Sequence, residues 1–434
     1  MFEKIKMFSY FNNSSNIVYE AGKSCFNGKL STDYEDIYKF IKSRVKEGHE
    51  SIIEHTNFFI AAIVPDTYLV NLMEVLSKCR YLNTNTKRIE TPNKSIFKKK
   101  KNTTQSATLV NIGGSIRGWK HIYRTIENPY NVILKRITEE IYKRVPDAFF
   151  EDFINDGIFD IDKFKFINET EFSNKFKSIE DNKKEVDGML RLINIDYLED
   201  LISTIPADMI ISSTLYDMLN ITVQFQNMSR VITHQMVRHR DGITQESQRY
   251  VDYTDHSIKN PMVYYPDYDK DKTYTLTSNE FITYNKPMTA EELCKAIQPI
   301  YGDLHSQGMK AEAARYYMGF GVECGSLIMT FTYRTLAKLF ELRMHKSAQG
   351  ENRVYAKELA YLLLPLLDEG YFLYDQDNIS VNTSILDPIY KSYNSDEYNN
   401  LSEMYDDIEE DIDEDYFTDS VEGMYDSENE ERTE

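Results

Sequence analysis

The feature that most limits what this chain can fold into is the segregation of its charge. The formal net charge is −20, yet residues 395–434 hold eighteen Asp and Glu against the single Arg432. That leaves −3 on residues 1–394, a nearly neutral body joined to a strongly acidic segment. Like charges oppose compaction, and "YDDIEEDIDEDYFTDSVEGMYDSENEERTE" has few aliphatic side chains to bury. The folded unit is therefore expected to span residues 1–392, with residues 393–434 a disordered, solvated tail. A hydrophobic content of 41% is enough for a sizeable core in the body.

Within the body, apolar spacing predicts a mixed α/β domain of the α+β type. The resemblance of the motifs set out below implies a largely antiparallel sheet flanked by long helices, with a large helical insertion at about 81–220. Residues 35–47, "EDIYKFIKSRVKE", place Ile37, Phe40, Ile41 and Val45 on one helical face, and Gly48 ends that helix. "HESIIEHTNFFIAAIV" then runs into a strand rich in β-branched and aromatic residues. A helical segment is predicted from about Gly114 to Lys143. "FKKKKNTTQS" (97–106) reads as a basic polar loop and residues 174–188 as a flexible charged insertion. A strand around Ile221–Gln226 leads through a turn into a helix that ends in basic residues. From Thr289 two long helical patterns follow, the second being "TYRTLAKLFELRMHKSAQGENRVYAKELAYLLLPLLD". One echo is visible: residues 115–136 superpose on 332–353 with Arg117 on Arg334 and Arg136 on Arg353, while Ile126 falls opposite Arg343. Either a repeat or the chance likeness of two amphipathic helices accounts for it.

No apolar run approaches the roughly 20 residues of a membrane span, and "MFEKIKMFSYFNNSS" lacks the apolar core of a signal peptide. The four cysteines (Cys25, Cys79, Cys294 and Cys324) form no CxxC pair, so neither zinc nor a disulfide framework is expected. Reduced thiols in an intracellular, cytoplasmic setting are the expectation.

Against the neutral body, "HQMVRHRDGITQESQRYVDY" (234–253) is a dense cationic run. Gln235 and Arg238 share a helical face, and Arg238, His239 and Arg240 leave the helix end just before Thr244, Gln245, Ser247 and Arg249. Guanidinium forks, a hydroxyl and backbone N–H groups are the donors that hold a phosphate or a dinucleotide cofactor. A basic helix end that contacts nothing is the plain alternative. Nucleic-acid binding is disfavoured, because it spreads cations along a face with interleaved aromatics.

"RHRDGITQESQRY" resembles the signature of the flavin-dependent thymidylate synthases, "GHESIIEH" (48–55) their second motif, and "VYEAGKSCF" (18–26) their opening segment. "EAARYYMGFGVECGSLIMTFTYRTLAKLFELRMHKSAQGENRVYA" is similar to their C-terminal nucleotide-binding region. The resemblance covers about residues 15–80 and 220–370. It implies a homotetramer with active sites between subunits, FAD as cofactor, and NADPH and 5,10-methylenetetrahydrofolate as co-substrates. The reaction implied is reductive methylation of dUMP to dTMP, without an enzyme thiol as nucleophile; neither nucleic acid nor membrane is an implied partner.

Carried over by position, the resemblance assigns Gln235, Arg238, Ser247, Gln248, Arg249, Arg315 and Arg343 to dUMP. Arg343 is the catalytic candidate, at the pyrimidine edge, where a fixed cation favours the N3-ionised ring. His49, Ser51, Arg238, His239, Arg240, Gln245, Thr332, Arg334 and Lys338 fall to FAD. Glu54 and His55 read as orienting or strand-capping residues, and Gln349 and Arg353 as bonds within a helix pair. Three departures stand out. The loop from Arg240 to Ser247 is one residue short of the usual, Thr332 and Lys338 replace asparagines, and "YYMGFG" follows Arg315 in place of Leu-Pro. They leave open a second reading, a homologue that keeps a nucleotide pocket but has lost flavin chemistry.

The tail is expected to be dispensable. Deleting residues 395–434 should leave turnover and oligomeric state within about a factor of two, because a solvated acidic segment adds nothing to the core. A turnover loss of about tenfold in a steady-state assay, or dissociation seen by light scattering, would put the tail inside the folded unit.

Overall fold

The structure, a computed structural model, describes residues 6–11, 15–79, 82–92, 104–125, 185–239, 242–259, 271–274, 287–367, 371–374 and 379–382, with Ile137 and Ile141. Arg240, the lysine run of the 97–106 loop, residues 126–136 of the echo and the acidic tail lie outside these residues.

Two antiparallel sheets form the body. The first runs in the order β1 (Lys6–Phe11), β2 (Asn57–Pro65), β4 (Thr104–Ser115), β3 (Leu82–Pro92). The second runs from a two-residue edge strand, Glu185–Val186, through β5 (Leu190–Ile195), β6 (Asn220–Phe225), β8 (Leu327–Thr332) and β7 (Gly242–Gln245). Strand β2, "NFFIAAIVP", is buried along its whole length because both of its faces are covered. Its alternating side chains divide between two cores. Phe59, Ala61 and Ile63 join the second sheet in one large core. Phe58, Ile60, Ala62 and Val64 pack on helices α1 (Ser15–Ser24), α2 (Tyr34–Lys46), α3 (Asp66–Ser77) and α4 (Ile116–Thr125).

Local chemistry sets the element ends. Asp33 caps α2 by accepting the Asp36 N–H at 3.0 Å, and Gly48 closes it at φ +83°, a conformation that favours glycine. A 3₁₀ turn, Glu50–His55, then feeds β2. In the second half, α5 (Ser212–Met218) precedes β6, and α6 (Arg230–Met236) is capped by Ser229 and followed by a 3₁₀ turn, Val237–His239. Helix α7 (Ala290–Ser306) starts on a full capping box, Thr289 with Glu292. Among the described residues no helix is long and apolar enough to cross a membrane.

Three expectations need correction. The long pattern from Thr332 is not one helix: α8 (Tyr333–Met344) and α9 (Gly350–Leu363) are separated where His345 turns extended, at ψ 144°, and its Nδ1 bonds Ser347 at 2.7 Å. The helix expected from Gly114 begins at Ile116, since Gly114 and Ser115 are the last residues of β4 and pair with Phe58 and Asn57. The insertion at 81–220 is not chiefly helical in its described part. It supplies β3, β4 and β5, which are integral to the two sheets.

The echo between helices extends to the whole of both sheets. Strands β1-β2-β4-β3 and β5-β6-β8-β7 have the same order and the same antiparallel sense, and they share register at corresponding ends, although β5 carries a shift between Leu192 and Asn194 that β1 lacks. Asn57 pairs with Ser115, and Asn220 with Thr332. Phe11 pairs with Phe58, and Ile195 with Ile221. The helix after each terminal pair begins the same way, Ile116 N–H on Thr56 O at 3.0 Å and Tyr333 N–H on Leu219 O at 3.1 Å. Three residues before each asparagine stands an acid that holds the arginine at the second position of that helix: Glu54 with Arg117, and Asp217 with Arg334. Chance likeness of two helices does not reproduce strand register and ion pairs together, so the chain contains two copies of one unit.

Candidate active site

The cationic run lies where helix α6 gives way to β7. Arg343, near the C-terminal end of α8, reaches it from across the sheet. Its Nη2 donates to the Gln235 carbonyl at 3.2 Å and its Nε to His239 Nε2 at 3.2 Å, with a longer contact to Gln235 Oε1. Gln235 is itself fixed: Oε1 accepts from Asn352 Nδ2 at 2.7 Å, and Nε2 donates to Gln349 Oε1. Burial, reinforced by the Arg343 charge, pushes the His239 imidazole down to about 4. His239 is therefore neutral at neutral pH. Since Nε2 accepts from Arg343, its proton sits on Nδ1. Burial and the neighbouring Arg238 charge lower Arg343 in turn. Two guanidinium groups that oppose each other, Arg343 half-buried and Arg238 exposed, are relieved by an anion.

A second cluster forms around Glu312. Arg249 Nε reaches Glu312 Oε2 at 3.2 Å, and Arg315 Nε donates to the Glu312 carbonyl at 3.1 Å. Ser247 Oγ accepts the Arg249 N–H at 3.2 Å, which curls the loop so that Ser247, Gln248 and Arg249 lie on one turn. Beneath it, Arg230 donates to the Glu246 carbonyl and to the Tyr253 hydroxyl, and Glu246 Oε1 takes the Gly325 N–H at 3.2 Å. Burial would raise Glu246, but His256, Tyr253 and the Gly325 N–H together hold it below its ordinary value.

The two N-terminal motifs meet the same loop. The Cys25 carbonyl accepts the Ser247 N–H at 3.0 Å, and the Phe26 ring stands 5.2 Å from that of Tyr250. The Glu50–His55 turn lies on β7 so closely that a Cβ on Gly242 would come within 2.7 Å of the Glu54 carbonyl, backbone against backbone. His55 is wholly buried between Thr330, 2.9 Å from Nδ1, and Thr244, 3.2 Å from Nε2. The sequence suggested a residue that orients His49 or caps the strand; its two partners instead belong to the second sheet. His49 and Ser51 sit on the open side of the turn, the first exposed and the second half-buried. Gln245, on β7, turns its amide to Cys324 Sγ at 3.7 Å.

Not every expected flavin contact joins this group. Arg334 is tied to Asp217 at 2.8 Å and to the Ser213 carbonyl, both on α5. Thr332 caps α8, and Lys338 pairs with Glu341 at 2.8 Å on its own helix. Arg334 lies nine residues before Arg343 on one helix, roughly 13 Å along its axis at 1.5 Å per residue. Sequence reasoning missed Asn352 and Glu312, which contact Gln235 and the pair Arg249 and Arg315; Asn352 lies far from Gln235 in sequence and Glu312 far from Arg249, and no local pattern marks them. Arg353, read as a helix-pair residue, donates to the Lys346 carbonyl at 3.1 Å across the α8–α9 break.

Residues 170–366 match the Thy1 family model, described as "Thymidylate synthase complementing protein". The chain is 31% identical over 136 residues to the flavin-dependent thymidylate synthase of Pyrococcus furiosus, which is 31% of this chain and 50% of that protein. It is 29% identical over 143 residues to the flavin-dependent thymidylate synthase of Geobacter sulfurreducens, covering 33% and 55%. For that of Clostridium tetani the identity is 32% over 152 residues, covering 32% and 57%. The chain spans about half the length of these curated relatives. With four motif segments meeting at one loop and a match that spans the second sheet, the chain is a distant homologue of the flavin-dependent thymidylate synthases over about a third of its length.

Proposed function

We propose that the protein catalyses the reductive methylation of dUMP to dTMP, with 5,10-methylenetetrahydrofolate as carbon donor, NADPH as reductant and FAD as cofactor. The observation that supports this best is the Arg343 site: a guanidinium held by the Gln235 carbonyl and a neutral His239, next to a second cation, Arg238. A site of that kind holds an anionic ring edge better than a neutral one, because two like charges gain a shared counter-charge.

Ser247, Gln248, Arg249 and Arg315 hold the dUMP phosphate on this reading. The ion pair between Arg249 and Glu312 does not prevent it, since both side chains are well exposed and such pairs are worth about 0–1 kcal/mol. His49, Ser51, Arg238, His239 and Gln245 present the imidazole, hydroxyl, guanidinium and amide groups that suit a dinucleotide, and Arg240 joins them by resemblance. FAD, when bound, supplies the hydride. His239, being neutral, adds no charge; it accepts from Arg343 and sets its direction.

Flavin content tests the proposal. The purified full-length chain is expected to be yellow, or to become so on incubation with FAD, with about one flavin per chain and turnover that depends on NADPH and the folate. A colourless protein that binds dUMP but cannot be loaded with FAD would remove the flavin reading and leave a nucleotide-binding homologue.

A further inference from the structure

The two copies of the unit are not equipped alike, and the difference falls into two complementary halves. Counting back from the asparagine that opens each central strand, His49 and Ser51 of the first copy fall opposite Ser212 and Thr214 of the second. Ser51 is half-buried, whereas Thr214 is fully buried with its hydroxyl unpartnered, so the hydroxyl at this place in the second copy is closed to a ligand, although Ser212 beside it is exposed. Registering the other end by strand pairing puts Asn83 opposite Gly242, and hence Cys79 opposite Arg238. Cys79 is buried, with its thiol on the Gly118 carbonyl at 3.6 Å. Glu90 falls opposite Arg249 and Ile126 opposite Arg343. The first copy thus retains the turn that carries His49 and Ser51, and the second retains the arginines.

The packing decides which arginine belongs with which half. The Glu50–His55 turn of the first copy lies on β7, the strand that follows the cationic run of the second. By the same symmetry, α5 of the second copy lies near β3 and β4 of the first, where the Ile211 N–H donates to Asn111 Oδ1 at 2.8 Å. Arg117 is held by Glu54 on the first turn, and Arg334 by Asp217 on α5. Arg117 therefore stands at the end of the molecule that has His49, Ser51 and the cationic run, and Arg334 at the end whose ligand groups are gone. Arg117 leaves 46% of its side chain exposed. Further cations back the first turn: Lys120, 1% exposed, and Arg124 each reach Glu50 at 3.0 Å. Burial would raise Glu50, but these two hold its carboxyl below the ordinary range. Their counterparts in the second copy are Ala337 and Glu341.

We propose that the chain builds one complete site from the unlike halves of two copies, and that its flavin-side arginine is Arg117 rather than Arg334. The proposal rests on the flavin reading above. It gives Arg117 the task of holding an anionic part of the cofactor next to His49 and Ser51, with Glu54 fixing its direction.

The internal symmetry supplies its own control, because Arg117→Ala and Arg334→Ala each break the same ion pair at the same place in the unit. FAD would be titrated into the full-length apo-protein and each variant, with binding read by flavin fluorescence and folding by thermal unfolding. Arg117→Ala is expected to weaken FAD binding about tenfold or more, the scale of a lost charge-assisted hydrogen bond. Arg334→Ala should stay within about threefold, and Arg117→Lys, which keeps the charge, should recover part of the loss. Should Arg117→Ala unfold, the comparison between Arg117→Lys and Arg334→Lys decides in its place. Equal losses in the two variants, or a loss confined to position 334, would overturn the assignment while leaving the flavin reading intact. A wild-type chain that takes up no FAD would remove both.

Discussion

Arg343→Ala is expected to lower kcat by about 10²-fold or more while the bound flavin keeps its spectrum, the scale of a lost electrostatic stabiliser. On the proposed reading charge develops on the pyrimidine ring during the reaction, and Arg343 is the cation that two fixed acceptors, the Gln235 carbonyl and His239 Nε2, hold in a set direction. Arg249→Ala is expected to act differently, raising the KM for dUMP with kcat nearly unchanged. The phosphate proposed for it has the same charge in ground and transition states. The His239 imidazole provides a readout that needs no turnover. Arg343 helps burial push it down to about 4, so in Arg343→Ala its titration, followed by NMR, should move up toward the ordinary histidine range. Near-normal kcat in Arg343→Ala would sink the catalytic assignment, and an unmoved His239 would sink the electrostatic account of the pair.

The second large effect concerns acid. Burial pushes the His55 imidazole down to about 3, against an ordinary value of 6.5. In the unfolded chain His55 takes up a proton as the pH falls through 6.5, and in the folded chain it refuses one until about 3. The unfolded state therefore binds more protons across this window, and stability falls as the pH falls, from about 6.5 down to 3. Between pH 7 and pH 5 the loss from His55 alone is about 2 kcal/mol at 1.36 kcal/mol per unit. Glu54 and Glu351, both raised by burial, contribute with the opposite sign in acid, so the test is a difference. Urea unfolding at the two pH values should show a stability drop about 2 kcal/mol smaller in His55→Gln than in the wild type. Parallel pH profiles for the two proteins would show that His55 titrates freely.

Parts of this arrangement could be read from the chain and parts could not, for physical reasons. The strand in "TNFFIAAIV" announces itself because a strand covered on both faces must be apolar throughout. The cationic run stood out because the rest of the body is nearly neutral. The break between α8 and α9 was missed because "HKSAQ" has no proline, and the stop is made by the extended backbone of His345 and its bond to Ser347. Gly350, at the start of α9, was the available sign. The two-copy architecture surfaced in sequence only as one pair of helices. The copies share register, hydrogen bonds and an acid–arginine pair, and those constrain a few residue types at wide intervals. Arg117 was in view as the partner of Arg334, but which of them belongs with His49 depends on packing between copies, which spacing along the chain does not encode.

The close approach of Gly242 to Glu54 has a consequence for how such a chain changes over generations. A unit that works alone must carry every group of its site. Where the turn of one copy rests on the strand of the other, each copy on the proposed reading answers for only half of the groups. Cys79 at the place of Arg238, and a buried Thr214 at the place of Ser51, are tolerated on those terms. The family match, over residues 170–366, falls on the copy that carries the arginines, while "VYEAGKSCF" and "GHESIIEH" lie in the other.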